Sequence, residues 1–389
     1  MKRIQIIDLV RTLSILLVIG HHLFGVRLSR LGRFSFSLTD LSTNFSNGNY
    51  GVTLFFVVSG YLITGLIVSG KYQGYQVNFR DFYAKRIARI FPLLLVIILL
   101  GWGIVEFVDF NSWIGQFIFK KPGYPYDFWF WASFPAFLSN WLIAFRGDNQ
   151  GLYWGVLWSL AVEEQFYLSY PWILKKIKKF RVLSLFLAAV ILGGLFYRAI
   201  LSHFGYGRYS LAVMTSFGSF DQIAMGSLLY FVSEKWKTFL TRHHSFSAMI
   251  CLCGLALLVF AYINMSPFYP LPMNYGIVWG PFFISLGCAL FLLGGLRMSL
   301  FESMYLRWLT IPGQLSYGCY LWHSAVLFAL WPFLSVSGPL LSFLVLTFAV
   351  VLTAYVSYAF IEKPSNRLIR KIFAVKTGKP LSVPGMSES

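Results

Sequence analysis

Two ionisable side chains, Arg11 and His22, lie inside the first long apolar run of the sequence. Eleven residues separate them, which on an α-helix is about 20° from a whole number of turns, so both share one face about 16 Å apart along the axis. Asp8, three residues before Arg11, joins the same stripe. Ionisable groups in hydrocarbon are costly and usually face a bundle interior or a water-filled cavity. The spacing therefore predicts contacts with the two ends of one long ligand.

The imidazole of His22 is the first candidate for chemistry. A neutral imidazole in a dry site can take a proton from a hydroxyl nucleophile. The neighbouring His21 points about a quarter turn away from this helix face. The alternative is a structural histidine that bonds to another helix, and the residues by themselves leave both interpretations open.

Adjacent carboxylates, Glu163 and Glu164, lie inside another apolar run. Neighbouring helical residues face about 100° apart, so at most one of the two points squarely into a shared helix interface. The other needs its own partner, such as an arginine, or is protonated. The pair could orient a histidine, bind an acceptor hydroxyl or form structural contacts.

A basic cluster, Lys85, Arg86 and Arg89, precedes the third apolar run. Spacings of three and four residues place these side chains on one side of a helix. Guanidinium groups match phosphate oxygens, so the cluster could bind phosphates at the membrane surface. The alternative is a basic anchor for anionic lipid.

A polar stripe is predicted on a late apolar helix, because Ser316, Tyr320 and His323 recur at positions i, i+4 and i+7. Ser59 lies among glycines in the second apolar run and could line the same cavity. The alternatives are hydrogen bonds between helices, worth about 1 kcal/mol each, and close helix packing at the glycines.

Membrane-spanning helices must position these residues. The chain has 389 residues, of which 57% are hydrophobic and 12% charged, whereas soluble domains carry about 25% charged residues. Apolar runs of about 20 residues, the length that a helix needs to cross a bilayer, recur along the whole chain. We therefore predict an all-α polytopic membrane protein with about ten transmembrane helices. The runs lie near residues 9–27, 50–69, 90–108, 154–174, 182–201, 210–231, 246–264, 275–296, 313–335 and 339–360.

The formal net charge of +18 predicts basic cytoplasmic loops and not nucleic-acid binding, because Lys and Arg mark the cytoplasmic side of membrane proteins. Most lysines and arginines fall on one side when both termini are cytoplasmic, which is the orientation that we expect. Residues 126–145 are apolar enough to cross, but crossing would move the segment KKIKKFR outside. We therefore expect residues 126–145 to be re-entrant or to lie at the outer interface.

The chain is predicted to form one membrane domain, residues 1–364, and a basic cytoplasmic tail, residues 365–389, with a disordered end. The four cysteines all fall in apolar runs and are expected to be small core residues. We predict no metal site.

A set of motifs occurs in one order along nearly the whole chain. Together they resemble the acyltransferase-3 family of integral membrane proteins. That family moves acyl groups, most often acetyl, onto carbohydrate hydroxyls, and its members are mostly bacterial inner-membrane proteins. The motifs are Arg11 followed by His22, GVTLFFVVSGYLI at 51–63, KRIARIFP at 85–92, LWSLAVEEQFYLSYP at 157–171, LSYGCYLWH at 315–323 and IEKP at 361–364.

The resemblance implies roles for individual residues. His22 matches the first-span histidine of the family. Arg11 matches the arginine of its Arg-x-x-Ala motif, in which Ser14 replaces the alanine. Arg86 and Arg89 match its Arg-x-x-Arg motif. Some relatives carry a fused extracytoplasmic hydrolase-like domain, which this chain is expected to lack, so the membrane domain itself or a separate polysaccharide-assembly protein would reach the acceptor.

We therefore expect a membrane-bound O-acyltransferase of the bacterial inner membrane that moves an acyl group from cytoplasmic acyl-CoA to a hydroxyl of a cell-surface or exported carbohydrate. Acyl-CoA, acetyl-CoA by family frequency, is a substrate, and no bound cofactor is expected. Direct transfer and an acyl-histidine intermediate both remain open. The predicted site comprises catalytic His22, Glu163 and Glu164, donor-binding Arg11, Lys85, Arg86 and Arg89, and cavity-lining Asp8, Ser59, Ser316, Tyr320 and His323.

The alternative function is a transporter or flippase of a lipid-linked or small glycan, which would also place charges along a central cavity. Such proteins are expected to show repeat symmetry and broken helices in both halves, and the sequence contains no such repeat. A lipid-binding scaffold would explain the basic loops. It would not need Arg11, His22, Glu163 or His323 inside the hydrocarbon.

Overall fold

The computed structural model is all-helical, with no strand in the part of the chain that it describes. The apolar runs of the sequence become helices because a helix satisfies its own backbone hydrogen bonds where no water is available. The described residues are 4–31, 45–68, 79–109, 112, 125–146, 152–177, 179–204, 209–265 and 273–373.

Long helices alternate with short helical turns at their ends. Prolines stand in the first turn of three of the helices, where the missing N–H costs nothing. In chain order the helices are α1 (Gln5–Leu31), α2 (Tyr50–Val68), α3 (Phe79–Phe107), α4 (Phe128–Ser133), α5 (Ser139–Arg146), α6 (Leu152–Gly155), α7 (Trp158–Lys176), α8 (Phe180–His203), α9 (Tyr209–Ala212), α10 (Ser216–Lys235), α11 (Lys237–Arg242), α12 (His244–Asn264), α13 (Met273–Gly295), α14 (Ile311–Gln314), α15 (Ser316–Val336), α16 (Pro339–Ser357) and α17 (Lys363–Ile372).

Eight helices of the described chain are long and apolar enough to cross a membrane. The chain is therefore an all-α, multi-pass membrane protein, as predicted. The number of ten spans is not confirmed. The predicted spans 154–174 and 210–231 correspond to α7 and α10, helices of 19 and 20 residues that carry several charged and amide side chains. The eight apolar helices lie at 5–27, 47–68, 79–107, 180–203, 244–264, 275–295, 316–336 and 339–372.

The helices α2 and α10 touch at two glycines near the centre of the bundle. A Cβ atom on Gly60 would lie 1.9 Å from the carbonyl oxygen of Ile223, and one on Gly226 would lie 1.8 Å from that of Val57. Neither glycine can be replaced without moving a backbone, because small residues are what allow two helices this close. This contact fixes α2 in the interior, where it presents Ser59 to the site.

A second close contact joins α1 to α2 at Ser14, which is fully buried. Its hydroxyl donates to the carbonyl oxygen of Val10 at 2.7 Å, so the side chain folds back on its own helix. A Cβ atom on Gly51 would lie 2.4 Å from the carbonyl oxygen of Ser14. Serine thus preserves the tight approach that the alanine of the Arg-x-x-Ala motif would allow.

A buried ion pair ties α8 to α10. The Nη2 atom of Arg198 donates to Oδ2 of Asp221 at 2.8 Å, and the two side chains are 0% and 1% exposed. Arg198 also donates from Nη1 to the carbonyl oxygen of Gly218 at 2.6 Å and from Nε to that of Val278 at 3.3 Å. This intramembrane arginine therefore links α8, α10 and α13, and its role is structural.

Replacing Arg198 by methionine is expected to lower the free energy of unfolding by about 3–5 kcal/mol, because the Asp221 carboxylate is left buried without its partner. Chemical unfolding in detergent, followed by tryptophan fluorescence, would measure the loss. The double variant Arg198→Met/Asp221→Leu removes both charges and should recover much of the stability. A single variant as stable as the wild type would contradict a structural role for the pair.

Residues 126–145 do not form one spanning helix. The helices α4 and α5 have six and eight residues, too few to cross a bilayer, and Phe137 between them has a φ of 54°. Gln165 of α7 donates to the carbonyl oxygen of Phe137 at 2.5 Å and to Oδ1 of Asn140 at 2.9 Å. The broken helix is therefore held against protein, which is where irregular backbone is tolerated in membranes.

An ion pair joins the two ends of this broken segment. Arg146 donates to the two carboxylate oxygens of Asp127 at 3.1 and 2.8 Å, and the amide of Phe130 donates to the same carboxylate at 2.9 Å. These hydrogen bonds hold the pKa of the Asp127 carboxyl below its ordinary value of 3.8, and the hydrogen bond from Arg146 has the largest effect. The pair is therefore intact at neutral pH, and its contribution to stability disappears as the pH falls through this lowered pKa.

The predicted basic tail begins within an ordered helix. α16 continues through a π-helical turn, Tyr358–Glu362, into α17, which packs against α3. The amide of Asn366 donates to the carbonyl oxygen of Ala88 at 3.4 Å and helps to hold α17 there. The end of the tail, residues 374–389, for which we predicted disorder, lies outside the described residues.

Candidate active site

A central cavity of about 840 Å³ lies between α1, α2, α3, α7 and α15. It brings together most of the predicted site from segments more than 300 residues apart in the sequence. Its remaining lining is apolar, as expected for a ligand pocket. The polar lining residues are Arg11, Ser59, Arg86, Arg89, Ser159, Glu163, Glu164, Tyr167, Ser316, Tyr317 and Tyr320.

Glu163 is bound into a hydrogen-bond network inside this cavity. Its carboxylate accepts a hydrogen bond from the Ser59 hydroxyl at 2.6 Å and a second from the Tyr167 hydroxyl. The two hydroxyls also contact each other. Tyr167 stands one helical turn after Glu163, so the same face of α7 supplies both. This network joins α2 to α7 through the Glu163 carboxylate.

Arg86 stacks on the same tyrosine. Its guanidinium carbon lies 3.6 Å from the centroid of the Tyr167 ring, within the range of a cation–π contact. The Nε atom of Arg86 is buried and has no hydrogen-bond partner in the described structure. The tyrosine therefore fixes the orientation of Arg86 and leaves this N–H group available to a ligand.

Glu164 has a free acceptor oxygen. Its Oε1 atom is buried and accepts no hydrogen bond from any described residue. Glu164 lines the central cavity and also a lateral cavity of about 740 Å³ between α3, α7 and the turn at Phe137. Both predicted carboxylates thus line the site: Glu163 accepts its two hydrogen bonds on Oε1, whereas Oε1 of Glu164 has no hydrogen-bond partner among the described residues.

His22 is half-buried and is not among the residues that line the central cavity. Its ring stacks on that of His323, with centroids 5.1 Å apart and planes at 25°. The His323 ring, which also does not line the cavity, lies 5.4 Å from the ring of Tyr320, which does. A chain of ring contacts thus connects His22 to the cavity wall. The contact of His22 with a substrate stays a prediction.

His323 has one free ring nitrogen. Its Nδ1 atom lies 2.5 Å from the carbonyl oxygen of Tyr320, and a carbonyl can only accept, so the proton is on Nδ1. The Nε2 atom is therefore an acceptor, and it is buried without a hydrogen-bond partner among the described residues. The stacked histidine pair thus presents an imidazole nitrogen that could accept a proton. No group of three or more His, Cys, Asp or Glu side chains suited to a metal ion occurs in the described chain.

The remaining predicted residues lie at the end of the bundle where α1 and α3 begin. Arg11 lines the central cavity, and its Nη1 atom donates to Oδ1 of Asp8 at 3.5 Å, so Asp8 positions Arg11 from behind. Arg89 lies on α3 three residues after Arg86 and also lines the central cavity. The Nζ atom of Lys85 lies 3.9 Å from Oδ2 of Asp81, and Lys85 is not among the residues that line the central cavity.

A second cavity of about 990 Å³ opens at this same end of the bundle, and we call it the basic vestibule. It shares Arg11, Arg89 and Tyr317 with the central cavity, so the two cavities are adjacent. The helix α17 forms one of its walls. Its polar lining residues are Arg11, Arg89, Gln314, Tyr317, Tyr358, Glu362, Lys363, Asn366, Arg367 and Arg370.

Comparison with known proteins identifies the family. A family model described as an acyltransferase domain, that of acyltransferase-3, matches residues 4–361. This chain belongs to the acyltransferase-3 family. The match spans every predicted site residue from Asp8 to His323, and it confirms the resemblance seen in the sequence.

Curated acyltransferase-3 relatives are similar over most of this chain. O-acetyltransferase OatA of Staphylococcus aureus is 27% identical over 341 residues, 85% of this chain and 54% of the relative. A putative peptidoglycan O-acetyltransferase, YrhL of Bacillus subtilis, is 28% identical over 83% of this chain and 51% of its own. Peptidoglycan O-acetyltransferase OatA of Listeria monocytogenes is 28% identical over 94% of this chain and 56% of its own. The chain thus spans about half the length of these relatives. No solved structure matches it.

Several residues of this acyltransferase-3 site were not identified from the sequence. Tyr167 could have been found, because it follows Glu163 by four residues and so shares its helix face. Ser159 shares a hydrogen bond of 2.7 Å with the Tyr320 hydroxyl, but no local pattern connects α7 with α15. Of the α17 side chains in the basic vestibule, Asn366, Arg367 and Arg370 were assigned to the tail, and Lys363 only to the IEKP motif at 361–364.

Proposed function

We propose that this acyltransferase-3 protein transfers an acyl group, acetyl by family frequency, from acyl-CoA to a hydroxyl of a cell-surface or exported carbohydrate. The observation that carries the proposal is a central cavity lined by three arginines and two glutamates, in which the Oε1 atom of Glu164 has no hydrogen-bond partner among the described residues. The names of two relatives as peptidoglycan O-acetyltransferases support a carbohydrate acceptor.

The donor enters from the cytoplasm in this proposal. Lys and Arg concentrate on the cytoplasmic side of membrane proteins, so the end of the bundle with Arg11 and Arg89 is cytoplasmic in this proposal. Both termini of the protein are also cytoplasmic, and the membrane is the bacterial inner membrane. Guanidinium groups hold the donor phosphates. His22 lies about 16 Å farther along α1, a distance set by the rise of the helix. This separation suits a donor with phosphates and a thioester at opposite ends of a flexible arm.

The histidine pair supplies the base. As the acceptor oxygen attacks the thioester carbonyl carbon, the new C–O bond forms and His22 removes the hydroxyl proton. The C–S bond then breaks, and the thiolate of CoA leaves and takes up the proton from the histidine. Glu164 accepts a hydrogen bond from the acceptor and orients it. In the alternative order, the acyl group rests on His22 before the acceptor binds.

Acetyl transfer can be tested in inside-out membrane vesicles that are loaded with peptidoglycan oligosaccharides and supplied with radiolabelled acetyl-CoA outside. We expect label in the oligosaccharide fraction only when the protein is present. Vesicles without the protein are the control. Movement of oligosaccharide across the membrane without acetyl-CoA, and without label transfer, would instead support the transporter or flippase.

A further inference from the structure

We propose that the basic vestibule is a phosphate-binding subsite for the nucleotide end of the acyl donor, and that α17 supplies most of its charge. This inference rests on the proposed function. The ligand chemistry is that of adenosine carrying a 3′-phosphate and a 5′-diphosphate, the part of CoA farthest from its thioester. None of the α17 residues belongs to the site that the sequence predicts.

The first argument is the charge of the lining. Lys363, Arg367 and Arg370 stand at positions i, i+4 and i+7 of α17, so they share one helix face, and all three line the vestibule. Arg11 and Arg89 face them from α1 and α3. Together these are five cationic side chains on three helices against the single carboxylate of Glu362, an excess of positive charge suited to a ligand with several phosphate oxygens.

The second argument is the position of the vestibule beside the central cavity. Arg11, Arg89 and Tyr317 line both cavities, so a ligand with its phosphates on α17 lies next to the site that holds Glu163 and Glu164. A lipid headgroup has the same phosphate chemistry, but its acyl chains belong in the bilayer and not in the protein interior. The adjacency of the two cavities therefore favours a nucleotide with an extended arm.

The third argument is that the wall is built from ordered structure. The π-helical turn before α17 places Glu362 on the vestibule, and such turns occur frequently at functional sites. Asn366 holds α17 against the carbonyl oxygen of Ala88 on α3. The basic face of α17 is thus positioned by the turn and by α3.

The test compares two donors on purified protein in vesicles of neutral phosphatidylcholine. Acetyl-CoA carries the nucleotide, whereas S-acetylpantetheine carries the same thioester without any phosphate. In the Arg367→Gln/Arg370→Gln variant we expect KM for acetyl-CoA to rise about tenfold or more, because charge-assisted hydrogen bonds to phosphate are lost. The kcat/KM for S-acetylpantetheine should stay unchanged. Lys371→Gln is the control for the loss of a cation from α17, because Lys371 is an exposed residue of the same helix that is not among the vestibule residues.

Equal losses with both donors would overturn the proposal and indicate a structural role for α17. A defect that appears only when anionic phosphatidylglycerol is added would overturn it in favour of a lipid headgroup.

Direct binding of adenosine 3′,5′-bisphosphate, measured by calorimetry, tests this subsite separately from the proposed function. Binding that weakens in the double variant would support the subsite even without acetyl transfer. Wild-type protein that transfers acetyl but does not bind the bisphosphate would refute the subsite alone.

Discussion

The His22→Ala variant is expected to transfer acetyl about 10²–10⁴-fold more slowly than the wild type, because the proposed general base is missing. The fold should persist, because His22 is half-buried and its described contacts are to the neighbouring His21 and His323 rings. The measurement is the initial rate of label transfer from acetyl-CoA at matched protein levels in the membrane.

The adjacent His21 provides the control for that variant. Its Nδ1 atom lies 3.3 Å from the carbonyl oxygen of Phe45, and it does not stack on His323. The His21→Ala variant should therefore retain most of the activity. Equal rates for the two variants and the wild type would exclude His22 as the base. Label that stays on wild-type protein without an acceptor, but not on His22→Ala, would identify an acyl-histidine intermediate.

The second large effect is expected at Glu164. Glu164→Gln should lower kcat about 10²-fold with little change in KM for acetyl-CoA, because the proposed acceptor-orienting carboxylate is lost while the arginines remain. The buried Oε1 atom of Glu164, which has no hydrogen-bond partner among the described residues, is the reason for this choice. Steady-state kinetics with acetyl-CoA and peptidoglycan oligosaccharides would measure both constants.

Glu163→Gln is the comparison that makes the Glu164 experiment decisive. Glu163 accepts hydrogen bonds from Ser59 and Tyr167, so its replacement should loosen the contact between α2 and α7. We expect Glu163→Gln to lower thermal stability more than Glu164→Gln does. We expect Glu164→Gln to lower kcat more than Glu163→Gln does. The reverse order would reassign the two roles.

The helices and the family of this protein could be predicted from the sequence because both depend on local patterns. A bilayer requires about 20 apolar residues per span, and that length is visible in any stretch of sequence. The relation of Arg11 to His22 could also be predicted, because both lie on one helix and its periodicity sets their face and separation. The predicted number of ten spans is not confirmed, because α7 and α10 carry polar side chains that face protein.

Contacts between distant segments could not be predicted in the same way. The sequence shows two neighbouring glutamates, but which one is hydrogen-bonded to α2 depends on Ser59, more than 100 residues earlier. Arg198 and Asp221 could each have belonged to a site, and only their mutual contact makes them structural.

An all-α membrane protein of the acyltransferase-3 family, with an arginine and a histidine on one face of its first helix, follows from the amino-acid sequence alone. The hydrogen bonds of Glu163 to Ser59 and Tyr167, the stacking of His22 on His323 and the place of α17 in a wall of the basic vestibule are visible only in the folded protein. Hydrophobic length and helical periodicity are local properties of the chain. The meeting of side chains across a bundle is set instead by close packing at residues such as Gly60 and Gly226.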